Sequence, residues 1–79
     1  MGGVVASRDP EHPLALAVHG DALWAAGMFD EAERRYDEAL ARDAELPLGL
    51  HGKGRALAAR RQFAEALPLL RRAIDRDDR

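Results

Sequence analysis

Apolar side chains recur three and four residues apart through most of the chain, and polar residues fill the positions between, so the pattern predicts helices. The first helix is expected from about Pro13 to Ala26, with Leu16, Ala22, Leu23 and Ala26 in phase. Asp9 and Pro10 ahead of it supply a capping side chain and a proline suited to a first helical turn. Gly27 is expected to close it in the left-handed conformation. A second helix is expected from about Asp30 to Arg42, with Ala32, Tyr36, Ala39 and Leu40 on one face. Its acidic start and basic end suit the helix dipole, and Asp30–Arg34 and Glu31–Arg35 have the spacing of intrahelical ion pairs. A third is expected from about Pro47 to Arg60. Gly49, Gly52 and Gly54 each cost it about 1 kcal/mol relative to alanine, so packing must hold it. A fourth is expected from about Ala64 to Arg76, with Ala66, Leu70, Ala73 and Ile74 inward and a slight bend at Pro68. Val4, Val5, Val18 and Ile74 are the only β-branched residues, which argues against strands.

The same pattern occurs twice. Shifting the chain by 34 residues superposes Pro13 on Pro47, Leu14 on Leu48, Leu16 on Leu50, Gly20 on Gly54, Ala22 on Ala56 and Leu23 on Leu57. The match continues without a gap at Ala25/Ala59, Phe29/Phe63, Glu31/Glu65, Ala32/Ala66, Ala39/Ala73, Arg42/Arg76 and Asp43/Asp77. Alanine-rich chains match by chance at alanine, but not at glycine, phenylalanine and proline under one shift.

Two helices per 34 residues, with Leu16-x2-His19-Gly20-x2-Leu23 followed by Ala32-x3-Tyr36 and Ala39, resemble the tetratricopeptide repeat family. The second copy reads Leu50-x2-Lys53-Gly54-x2-Leu57, then Ala66-x3-Leu70 and Ala73. Phe29 and Phe63 stand near the turn, where the family usually carries an aromatic. Small residues at Gly20, Ala32 and Ala39 let helix backbones approach. The chain departs from the family pattern in several places. Leucine replaces the leading Trp, His19 and Lys53 replace an apolar residue, Ala44 and Asp78 replace the terminal Pro, and Arg61 stands where Gly27 stands in the first unit. The resemblance implies an all-α fold: two tandem helix–turn–helix units, 13–46 and 47–79, in a short right-handed solenoid. Arg-Asp recurs at 8–9, 42–43 and 76–77, so residues 1–12 read as the tail of a preceding unit, and the chain as a window of a longer array or its minimal relic.

By the same resemblance, partners bind a concave face lined by each unit's first helix: Leu14, Ala17, Asp21, Trp24 and Ala25, then Leu48, His51, Arg55, Ala58 and Ala59. Trp24 either anchors a partner or covers the edge of a thin core. Asp21 and Arg55 either contact a partner or pair with each other across the units. Some family members clamp a peptide carboxylate with Asn and Lys, but this chain has no Asn.

Composition narrows the remaining classes. Seventy-nine residues allow one small domain with a thin core. Without cysteine there is no disulfide framework, thiolate metal site or cysteine nucleophile. Ser7 and Tyr36 are the only side-chain hydroxyls, and no nucleophile–base set or phosphate loop is visible, so no catalysis and no cofactor are expected. His12, His19 and His51 lack the spacing of a helical zinc pair, so no metal is expected. Ala22–Ala26 is the longest bulky apolar run, too short to span a membrane, and nothing argues for export, so the expected location is cytoplasmic.

Charge is divided unevenly. Residues 1–46 carry 4 basic and 10 acidic side chains, residues 47–79 carry 8 and 4, and the net charge is −2. A negative total and few aromatics argue against nucleic acid. The dipole suits either an anionic partner at Arg55, Arg60, Arg61, Arg71 and Arg72 or a second copy of the chain. Leu67, Leu70 and Ile74 form a stripe on the last helix that is expected to self-associate. The leading expectation is a non-catalytic module binding a protein or peptide, part of a larger scaffold or regulatory protein; the alternative is a structural unit that assembles into homo-oligomers.

Overall fold

The computed structural model describes residues 12–77. Four helices run through them: α1 (Pro13–Ala25), α2 (Phe29–Arg42), α3 (Pro47–Ala59) and α4 (Phe63–Asp77). No strand occurs among the described residues. Each boundary lies within about a residue of the expectation from periodicity. Asp9 and Pro10 fall outside the described residues; α1 is instead capped by His12, whose Nδ1 accepts from the Leu14 amide at 3.3 Å. The fourth helix continues through Pro68.

Helices α1 and α2 form one antiparallel pair, α3 and α4 the second, and α3 packs on both α1 and α2. The two turns close alike. Gly27 and Met28 donate to the carbonyls of Trp24 and Leu23, and Arg61 and Gln62 to those of Ala58 and Leu57. This double bond is the Schellman closure, which needs a left-handed residue. Gly27 takes it at φ 83°, Arg61 at φ 65°. Arginine pays about 1 kcal/mol in that conformation. Arg61→Gly is therefore expected to raise stability by about 0.5–1 kcal/mol, part of the gain being offset by the freer unfolded chain. A thermal melt shifted upward by a few degrees is the expected reading.

The core is built from Leu16, Ala17, Ala32, Tyr36 and Ala39, with Leu46 and Leu48 packed against it. Leu50 and Tyr36 are its largest fully buried side chains. Tyr36 lies between two helices that are both glycine where its ring meets them. A Cβ on Gly20 would come 2.8 Å from Tyr36 Cε1, and one on Gly52 would overlap the ring outright. Gly54 receives Leu70 in the same way, and Gly49 receives Leu40. The glycines that weaken α3 as an isolated helix are thus the surface on which its neighbours sit.

Two expectations need correcting here. Ile74 is 65% exposed, not inward, because α4 turns its Ala66–Ala73 edge to α3. Leu70 is half-buried against Gly54, so it belongs partly to the second pair's own packing, leaving Leu67 and Ile74 as the open part of the stripe. The intrahelical pairs also differ: Asp30 meets Arg60, the residue that caps the end of α3, and Arg35 meets Glu38.

Candidate functional site

Four side chains from three helices converge where the two pairs meet. The Tyr36 hydroxyl donates to Asp21 Oδ1. Arg55 donates through Nη2 to the Tyr36 hydroxyl at 2.9 Å and to Asp21 Oδ1 at 3.3 Å. Its guanidinium carbon stands 4.5 Å from the centre of the Trp24 ring, a cation–π stack. Phe29, at the start of α2, meets Trp24 edge-on at 4.7 Å. Asp21 and Arg55 are one repeat apart, so the two first helices lie side by side and place equivalent positions in contact. The sequence offered pairing or partner contact for these two; the structure pairs them, while both remain more than a third exposed.

Beside this cluster Trp24, Phe29, Ala56 and Ala59 line an open cavity of about 240 Å³, rimmed by Asp30, Glu33 and Arg60. The rim is an ion network joining α2 to α3. Glu33, only 7% exposed, accepts from Lys53 at 2.5 Å and meets Arg60 at 2.6 Å. Lys53 also reaches Asp37 at 2.9 Å, and Arg60 reaches Asp30 at 3.3 Å. Burial disfavours the Lys53 charge, but its hydrogen bonds to Glu33 and Asp37 outweigh that and hold its pKa above the usual lysine value.

The Tyr36 phenol is pushed up to about 12, first by burial and then by the Asp21 carboxylate that accepts its hydrogen bond; Arg55 opposes the shift. A raised pKa means that the folded state holds the proton more tightly. The associated stability is complete below the ordinary value near 10 and is lost as pH rises through 12, on the order of 2 kcal/mol in all. Tyr36 is the sole tyrosine. Tyrosinate absorbance is therefore expected to titrate near 12 and together with helix loss, and Tyr36→Phe to remove this component of the alkaline unfolding.

The residues expected on the binding face divide. Trp24, Leu48 and Ala58 are half-buried, Asp21 and Arg55 form the cluster, and Leu14, Ala25, His51 and Ala59 are exposed. Ala17 is the correction: it is fully buried under α3 and offers a partner no surface. His51 lines a different cavity, with Leu14, Leu46, Pro47, Leu48, Ala73 and Ile74. Arg60 is expected from the sequence as a contact for an anionic partner, whereas Phe29, Glu33 and Tyr36 are not assigned to the site by it. Tyr36 and Phe29 were visible as lone aromatics in the repeat, but which neighbours they meet depends on how the pairs dock. Among the described residues no cluster of three or more potential ligands is placed to hold a metal ion, and no helix is long and apolar enough to cross a membrane.

No curated protein and no solved structure matches the chain. The family model for the tetratricopeptide repeat matches it twice in tandem, at residues 15–48 and 50–79, together most of its length. Two helix pairs, small residues at the close contacts and a 34-residue period agree with that match: the chain belongs to the tetratricopeptide repeat family.

Proposed function

We propose that the chain is a non-catalytic protein–protein interaction module of a cytoplasmic scaffold or regulatory protein. Tetratricopeptide repeats are in general protein-interaction modules. The observation that carries the finer reading is the stacked Trp24–Arg55 pair beside the apolar cavity of Phe29, Ala56 and Ala59. Such a cavity takes one apolar side chain of a peptide, while Arg55, Asp21 and the Asp30–Arg60 rim offer charges to the flanking residues. Trp and Arg at the centre of a contact supply most of the binding energy in known interfaces. A self-assembling structural unit is the second reading, favoured by exposed Leu67 and Ile74.

The test is selection of peptides from a displayed random library against the folded chain. Enriched peptides are expected to share an apolar anchor, to perturb the Trp24 indole resonance, and to bind Trp24→Ala at least tenfold more weakly. Binding indifferent to Trp24→Ala and to Ala59→Arg would remove the cavity from the reading.

A further inference from the structure

The contacts that join the two helix pairs map, one repeat forward and one back, onto the outer faces of the described helices. Inside the chain, Tyr36 and Leu40 of α2 sit on Gly52 and Gly49 of α3. One period on from Tyr36 and Leu40 stand Leu70 and Ile74; one period back from Gly52 and Gly49 stand Val18 and Ala15. Ile74 is 65% and Val18 53% exposed. The cavity holding Leu48, His51, Ala73 and Ile74 has a volume of about 450 Å³. Those four residues are the period counterparts of Leu14, Ala17, Ala39 and Leu40, the surface of the first pair on which α3 lies. There Ala17 and Ala39 are completely covered, with Leu46 and Leu48 against them. On the second pair the same seat is partly open: Ile74 and His51 are exposed and Leu48 is half-buried, while Ala73 is already buried within the pair.

We propose that this seat receives α1 of a second copy of the chain, so that copies associate head to tail in the manner in which the two repeats associate internally. This surface is distinct from the Trp24 cavity and does not rest on the peptide-binding reading. Size complementarity favours it. Tyr36 requires glycine opposite, whereas the smaller Leu70 leaves room for Val18. Leu67, at the position of Glu33, would face His19 and Ala26 in place of Lys53 and Arg60, exchanging an ion network for apolar contact. Charge complementarity favours it too. Asp21 pairs with Arg55 within the chain, and the same step carries Arg55 to Asp21 of the next copy. The basic second half of one copy meets the acidic first half of another.

A contact between unlike surfaces leaves each copy one free end, so assembly continues past the dimer. In sedimentation equilibrium of the 79-residue chain, average mass is expected to climb with concentration beyond two copies. Ile74→Arg and Val18→Arg alter exposed positions at opposite ends. Each is expected to keep its helicity by circular dichroism and to weaken association at least tenfold. Mixed in equal amounts, they are expected to form a one-to-one dimer and nothing larger, because the mixture retains one intact seat and one intact α1 face. A strictly monomeric chain at every concentration overturns the proposal. So does a mass that stops at two copies, or two variants that fail to complement. Association seen only after residues 1–11 are removed would assign the α1 face to the chain's own leading segment and overturn it as well.

Discussion

Gly52→Ala is expected to destabilise the chain by about 2–3 kcal/mol, lowering the thermal midpoint by roughly 10–20 °C. Helix propensity alone argues the other way, because alanine in a helix interior is favoured over glycine by about 1 kcal/mol. Sterics decide the sign. An added Cβ would come within 2.5 Å of Tyr36 Cδ1, and closer still to the outer ring atoms. The ring has nowhere to retreat: Gly20 confines its other side, and its hydroxyl is tied to Asp21 and Arg55. The helices must therefore separate, and α3 loses the contact that compensates its poor propensity. Leucine occupies the equivalent position of the second unit, against Gly54. Tyr36→Leu in the Gly52→Ala background is accordingly expected to recover part of the loss. A Gly52→Ala chain as stable as the parent, measured by denaturant titration, would contradict this account of the junction.

Glu33→Lys should be comparably severe, at about 3–5 kcal/mol, and for an electrostatic reason. Glu33 is nearly buried and is shared by Lys53 and Arg60. Reversing its charge sets three cations together in a site that water reaches poorly, and each then depends on the exposed Asp30 or Asp37. Glu33→Met keeps the volume and removes only the charge, leaving Lys53 with Asp37 and Arg60 with Asp30. It is expected to cost less than the Lys variant, about 1–3 kcal/mol, because each cation loses one partner but keeps a carboxylate. Equal melts for the Lys and Met variants would show that packing, not charge, governs the position.

Much of the architecture was legible before any coordinates. The 34-residue period, the helix limits, the left-handed closure at Gly27 and the small residues at Gly20, Ala32 and Ala39 all follow from local rules: helical spacing, backbone sterics and the room that a small side chain leaves. The candidate site was legible only in part. Asp21, Trp24 and Arg55 were recognisable as members of one face. Ala17 had the same periodicity and proved to lie under α3, and Ile74 was assigned inward but points out. Periodicity reports which side of a helix is apolar, but not which of two neighbours covers it.

From the sequence alone come the helices, their pairing and the repeat, because each depends on local helical spacing and on the recurrence of that spacing after 34 residues. What only the tertiary structure decided is the junction: Tyr36 between Gly20 and Gly52, Arg55 stacked on Trp24, and Glu33 divided between Lys53 and Arg60. These contacts join residues whose spacings obey no helical period. Their partners are set by the angle and offset at which one helix pair docks on the other, a choice made by the summed fit of all the side chains between them.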